Sequence, residues 1–192
     1  MSLKKVAIFA SGSGSNAQSI IEYFNKKEGI DVSIVISNKS DAFVVKRAKK
    51  LGVKCFVFNI ESFKNNLGIL EILTKHKVDW IVLAGFLLKV PEYIIEKYEN
   101  RILNIHPALL PKYGGKGMYG VHVHQSVLQN KETESGISIH LVNKNYDEGK
   151  IIFQAKCKVF KQDTVELLSK RIHQLEHLHY PKVIEQTIST SN

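Results

Sequence analysis

The sequence predicts an α/β fold: a mostly parallel sheet with helices on both faces and a mixed or antiparallel C-terminal edge. Three observations carry that reading. Apolar, β-branched runs alternate with helical stretches over the first hundred residues, the grammar of a parallel sheet covered by helices. A glycine-containing turn, Ser11-Gly12-Ser13-Gly14-Ser15-Asn16-Ala17, joins the first run to the first helical stretch. After residue 107 the alternation gives way to a glycine-rich stretch and two further strands. At 192 residues and 44% hydrophobic content, the chain can build one compact domain that buries about 70% of its unfolded surface, and two independent cores would be cramped.

The strand candidates are Lys5 to Ala10, Val32 to Ile36, Cys55 to Phe58, Trp80 to Ala84 and Ile102 to Ile105, with helices expected over 16–27, 42–51, 63–76 and 92–98. Tyr113 to Gly120 holds four glycines in eight residues and reads as a mobile loop. A short helix near 122–130 follows, then strands Ile137 to Val142 and Ile151 to Ala155. The last element, residues 163–187, has Asp163 or Thr164 as N-cap and Leu167, Leu168, Ile172 and Leu175 at helical spacing, which predicts a long helix interrupted at Pro181.

Composition excludes several classes. The 27 basic residues exceed the 18 acidic ones, for a net charge of +9, but the lysines are scattered and no basic, aromatic-laced segment occurs. That pattern suits anionic small substrates rather than nucleic acid. No run reaches the roughly 18 apolar residues of a membrane span, and the N-terminus lacks the apolar region and cleavage site of a secretory signal, so a cytoplasmic protein is expected. Cys55 and Cys157 sit in apolar runs without a CxxC spacing, which predicts buried thiols in a reducing compartment.

Candidate chemistry lies at the strand ends. In the segment NIHPALLP, residues 104–111, Asn104 and His106 are two apart on an extended run, so their side chains share one face. Ligands of open parallel sheets bind outside the carboxyl ends of the strands, where these two residues fall. The Ser11–Ala17 turn can hold a phosphate through glycine backbone and helix N-terminal amides, with Ser15 and Asn16 as further donors; an ordinary capped strand-to-helix turn is the alternative. Gly12, Gly14 and Ala17 also fit a relaxed dinucleotide fingerprint, but Ser37-Asn38-Lys39 stands where an acidic residue should grip the ribose. A phosphate monoester suits the loop better. His173-Gln174-Leu175-Glu176-His177 matches the H-x-x-E-H zinc motif, yet the only acid after it is Glu185, and His122 with His124 lacks an obvious third ligand. No metal is expected.

Taken in order, SGSGSN after the first strand, LAGF at 83–86, LNIHPALLPKY at 103–113, Asp147-Glu148-Gly149 after a later strand and LEHLHYP at 175–181 resemble phosphoribosylglycinamide formyltransferase over essentially the whole chain. The resemblance implies a Rossmann-like formyltransferase fold in a single domain, 1–192, with a phosphate-binding half to about residue 100 and a catalytic, folate-binding half from about 101. It implies formyl transfer from 10-formyltetrahydrofolate to the amine of glycinamide ribonucleotide in purine biosynthesis, with Asn104, His106 and Asp147 as catalytic residues. A protonated His106 and the Asn104 amide would donate to the developing oxyanion, while Asp147 would favour the imidazolium and hold a proton-carrying water. By the same resemblance Gly14, Ser15 and Asn16 hold the phosphate, and Glu176 and His173 the ribose, although the family usually has Gln at the position of His173. The folate lies against Leu87, Leu88, Lys89 and Val90 and against Asn104, Asn143, Lys144, Asn145, Tyr146 and Asp147. The Gly-rich 113–120 stretch is a candidate lid, and a homodimer is left open.

Three other readings stand beside this one. The catalytic domain of methionyl-tRNA formyltransferase shares the Asn, His and Asp logic but normally carries a C-terminal domain and lacks SGSGSN. A formyltetrahydrofolate hydrolase usually has a further N-terminal regulatory domain. A non-catalytic nucleotide-binding module would use the same phosphate loop but give no reason for Asn104, His106 and Asp147 to occur together.

Overall fold

The computed structural model describes residues 3–191; Met1, Ser2 and Asn192 lie outside them. Among the described residues the apolar runs form β1 (Lys4–Ala10), β2 (Ile30–Ser37), β3 (Lys54–Val57), β4 (Trp80–Leu83), β5 (Ile102–His106), β6 (Glu134–Leu141) and β7 (Ile151–Lys158). They make one sheet in the order β3-β2-β1-β4-β5-β6-β7. The first five are mutually parallel. β6 runs antiparallel to β5, and β7 antiparallel to β6. The expected edge is thus antiparallel throughout.

Between the strands lie α1 (Ser15–Phe24), α2 (Phe43–Lys50), α3 (Ile60–Lys64), α4 (Ile69–Lys75), α5 (Glu92–Lys97), α6 (Val121–Gln129) and the terminal α7 (Val165–Thr190). Alternation along β1 assigns the two cores. Val6, Ile8 and Ala10 pack with Ile20, Phe24, Ile172 and Tyr180 on the face covered by α1 and α7. Ala7 and Phe9 pack on the opposite face with Phe63, Ile69, Leu73 and Ile94 from α3, α4 and α5. Successive strand side chains point to opposite faces, so a strand buried on both sides must be apolar throughout, as the fully buried stretch Val6 to Ala10 is.

Three expectations are corrected. The helix expected over 63–76 is two, α3 and α4, because Asn66 (φ 53°) and Gly68 (φ 84°) turn the chain out of helical geometry between them. The C-terminal helix is not interrupted at Pro181: α7 continues to Thr190. Proline cannot donate to the carbonyl of His177 four residues earlier, and the Ser19 hydroxyl of α1 approaches that carbonyl at 3.5 Å instead. Burial of Tyr180, Val183, Ile184 and Ile188 against the sheet carries the helix past the proline. Finally, Cys55 and Cys157 are free but half-buried rather than buried, and they sit on β3 and β7, the two outer strands of the sheet.

Strand order reverses around β1, which lies between β2 and β4. The carboxyl ends of β1 and β4 therefore border the crevice where such sheets bind ligands. Tyr180 locks this region from beneath. Its hydroxyl, fully buried, lies 2.9 Å from the Leu83 carbonyl and 3.2 Å from that of Leu103, tying α7 to β4 and β5, and burial holds the phenol protonated. Tyr180→Phe leaves these carbonyls without their donor and should cost about 1–3 kcal/mol of stability. Urea unfolding should show a lower midpoint at an unchanged slope.

Candidate active site

The Ser11–Gly14 turn is built by the crevice. The Ser11 N–H donates to the Gly85 carbonyl at 3.0 Å, and its hydroxyl accepts from the Leu87 N–H at 2.9 Å, so the turn after β1 and the segment after β4 are one unit. Gly14 has φ 74°, and a Cβ there would meet Val44 at 2.6 Å; only glycine fits before α1 begins. The first N–H groups of α1, from Ser15 and Asn16, then lack helical partners. The Asn16 side chain has other work. Its Nδ2 donates to Glu176 Oε2 at 2.8 Å, and its Oδ1 is buried with no hydrogen-bond partner among the described residues.

β5 places Asn104 and His106 as its alternation requires, but they do not share an open rim. Asn104 is half-exposed; His106 is buried, with 3% of its surface accessible. Its Nε2 lies 2.7 Å from the Tyr113 carbonyl and its Nδ1 3.6 Å from Asp147 Oδ2. Burial pulls the His106 imidazolium below its ordinary range, and the Asp147 carboxylate and Tyr113 carbonyl offset only part of that. These surroundings favour neutral His106 at neutral pH, and the protonated form expected from the sequence belongs to the moment when charge develops beside it.

Asp147 stands on the turn between β6 and β7 with a left-handed backbone (φ 56°), a conformation that Asp and Asn tolerate better than most residues. Its Oδ2 accepts from the Gly115 N–H at 2.9 Å. Its Oδ1 lies 3.6 Å from Nε2 of His140. Burial raises the carboxyl, but the donors around it, the His106 ring and the Gly115 N–H at 2.9 Å among them, outweigh that effect, so Asp147 lies below the usual carboxylate range. It is an anion at neutral pH.

His140 escaped the sequence reading, although its signal was present: Ser138 and His140 alternate with Ile137, Ile139 and Leu141, and both polar residues are buried. The β5–β6 register sets His140 directly opposite Asn104, and the Asn104 amide nitrogen lies 3.0 Å from His140 Nε2. Ser138 holds the chain that follows β5. Its hydroxyl donates to the Ala108 carbonyl at 2.7 Å and accepts from the Leu110 N–H at 2.9 Å, while Gln154 Nε2 donates to it at 2.8 Å. The path of 107–111 therefore rests on these bonds as well as on Pro107 and Pro111.

Gly12 to Asn16, Asn104, His106, His140 and Asp147 line one cavity of about 580 Å³, which runs from the turn after β1 past the end of β5 to the 142–150 turn. Glu176 and His173 border its α7 side. Glu176, 5% exposed, accepts from Asn16 and pairs with His173 Nδ1 at 2.8 Å through the same oxygen, and that bond raises the His173 pKa against the opposing effect of burial. At the other side Leu87, Leu88, Lys89 and Val90 line the wall with Asn143, Asn145 and Tyr146. Lys89 Nζ sits 5.6 Å from the centre of the Tyr146 ring. Lys144 is not brought to the cavity; it pairs on the surface with Glu92 and Glu96 at 3.5 and 3.4 Å. His124, which the sequence suggested only as a weak metal ligand, is buried against the cavity with Nδ1 unpartnered among the described residues. No group of three or more potential metal ligands is assembled among those residues.

The formyl transferase family model matches residues 4–184. A phosphoribosylglycinamide formyltransferase of Bacillus subtilis is 35% identical over 99% of this chain and 97% of its own. The chain belongs to the phosphoribosylglycinamide formyltransferase family. The chloroplastic phosphoribosylglycinamide formyltransferase of Arabidopsis thaliana is 39% identical over 94% of this chain, which spans 64% of that relative's length. The crystal structure of phosphoribosylglycinamide formyltransferase from Streptococcus pneumoniae TIGR4 superposes with a TM-score of 0.86 at 35% identity, covering 97% of this chain and 99% of that one. The family's α/β architecture is the one described above, antiparallel edge included.

The Glu176 bridge can be tested without any assay of activity. Glu176→Gln removes the charge that raises the His173 pKa and leaves burial to lower it. The NMR titration midpoint of His173 should therefore move to lower pH in the variant. An unmoved midpoint would show that the pair does not form in solution.

Proposed function

We propose that this protein transfers the formyl group of 10-formyltetrahydrofolate to the amine of glycinamide ribonucleotide, the reaction for which its relatives are named. The observation that carries the reading is that one cavity joins a glycine-backed, helix-capped anion turn to Asn104, His106 and Asp147. A module that only bound nucleotides would have no use for the second half of that cavity. The ribonucleotide phosphate lies against the amides of Gly14, Ser15 and Asn16, its ribose toward Glu176 and His173, and the folate along Leu87 to Val90 and the 143–147 turn. The reacting partners are these two small molecules; neither nucleic acid nor membrane takes part. A cytoplasmic location belongs to the same proposal, and among the described residues no helix is long and apolar enough to cross a membrane.

In the reaction the amine nitrogen attacks the formyl carbon, a C–N bond forms, and charge develops on the former carbonyl oxygen. The Asn104 amide donates to that oxygen. The bond from carbon to the folate nitrogen then breaks as that nitrogen gains a proton. Asp147, anionic and within 3.6 Å of His106, receives the proton lost by the amine, directly or through one water, and returns it to the leaving nitrogen. His106 adds its own charge by taking up a proton from solvent, which the forming oxyanion and Asp147 together favour over the cost of burial, and it releases that proton to solvent as the oxyanion collapses.

Purified protein with 10-formyltetrahydrofolate should lose the formyl group only when glycinamide ribonucleotide is supplied. Turnover in water alone would point to the hydrolase, and turnover with initiator methionyl-tRNA to the tRNA enzyme. Asp147→Asn keeps the shape and tolerates the left-handed backbone, so it isolates the charge. The variant should lose about 10²- to 10⁴-fold in kcat with KM values much less affected. Because the carboxylate raises the His106 pKa, a rate limb governed by protonated His106 should shift to lower pH. A near-normal kcat on an unmoved profile would leave Asp147 a turn residue.

A further inference from the structure

We propose that His140 is a positioning residue for this reaction: as the neutral tautomer protonated on Nδ1, it fixes which way the Asn104 amide faces. The inference rests on the formyl-transfer reading for its catalytic consequence, but not for the tautomer itself.

The tautomer follows from the partners. His140 Nδ1 lies 2.9 Å from the Leu141 carbonyl, which can only accept, so Nδ1 carries a hydrogen. The contact is held by the turn that closes over it. A Cβ on Gly149 would stand 1.6 Å from that same Leu141 oxygen and 3.4 Å from His140 Nδ1, so only glycine allows the 149 backbone to pack there. The Leu141 N–H is in turn bound to the Lys150 carbonyl at 2.9 Å. His140 itself is 2% exposed and has no room to turn its ring toward solvent.

With the hydrogen on Nδ1, the other ring nitrogen of a neutral imidazole is a bare acceptor. Two groups compete for Nε2. Asn104 Nδ2 stands at 3.0 Å, within hydrogen-bonding range, and Asp147 Oδ1 at 3.6 Å, beyond it. The shorter contact requires Nε2 to accept from the amide. One Asn104 N–H is therefore committed to His140, and the amide cannot rotate to put its carbonyl there. The remaining N–H is the donor left for the cavity, where the forming oxyanion needs it. Without the acceptor, the amide is free to flip and offer an oxygen lone pair to a developing negative charge.

Two measurements test this. Long-range ¹H–¹⁵N spectra of histidine-labelled full-length protein, with His140 assigned by its loss in His140→Gln, should show a neutral ring protonated on Nδ1. A ring protonated on Nε2, or a cation at the pH of the assay, overturns the proposal. In kinetics, His140→Phe should lower kcat by about 10²-fold, the scale of one lost oxyanion donor, with both KM values changed only a few fold. His140→Gln, whose side-chain oxygen can accept in place of Nε2, should restore most of the rate. Asn104→Ala should cost little more on top of His140→Phe, because the donor is already lost. Fully additive losses, or no rescue by Gln, also overturn it. Wild-type protein that transfers no formyl to the ribonucleotide would sink the functional reading instead, and the spectrum would still decide the tautomer, even if His140→Phe fails to fold.

Discussion

The site depends on one register. β6 pairs with β5 antiparallel so that His140 opposes Asn104 and Ser138 opposes His106. Side chains opposite one another on an antiparallel pair are near neighbours on the same face, and a slip of a single residue would send every one of them to the other face. From this pairing the rest follows in order. His140 meets the Asn104 amide, Ser138 reaches the 108–110 backbone, and the chain leaving β6 must return along β7 through the 142–150 turn, which carries Asp147 back over the end of β5. The change from parallel to antiparallel pairing is what brings residues from two distant stretches of sequence onto one strand end.

Charge in the site is arranged sparingly. The protein carries a net charge of +9, yet its centre holds an anion, Asp147, between two imidazoles. Burial and that anion oppose each other at His106, and burial prevails. In the proposed reaction, a group held neutral until negative charge develops beside it would stabilise that charge more than the ground state, which is the condition for raising kcat. The second buried carboxylate, Glu176, is balanced differently, by an amide and an imidazole on a single oxygen. Both carboxylates line the same cavity, and on the proposed function Asp147 marks its reacting end and Glu176 the end that anchors the ribonucleotide.

The parallel core, the placement of most elements and the strand end bearing Asn104 and His106 were legible because they depend on local patterns: apolar runs, their alternation with helical stretches, glycine before a helix start and a two-residue strand period. Where tertiary forces overrode local preference, the reading failed. Pro181 lies inside an unbroken helix because packing on α1 and the sheet outweighs the lost hydrogen bond, and 63–76 divides because two residues with positive φ stand in its middle. His140 was visible as a buried polar alternation but carried no meaning until its partner strand was known.

What the sequence by itself determined is the fold class, the glycine turn before the first helix and the strand end that carries Asn104 and His106, since each rests on residue type and short-range spacing; that Asp147 stands beside them was expected from a motif string alone. What only the tertiary structure decided is how those groups are engaged: His106 buried against Tyr113 and Asp147, Asn16 turned to Glu176, Lys144 directed away from the cavity, and His140 set beneath Asn104. Hydrogen-bond partners and burial depend on which strands lie side by side and in what register, and a separation of 36 positions between Asn104 and His140 leaves no periodic trace of that choice in the chain.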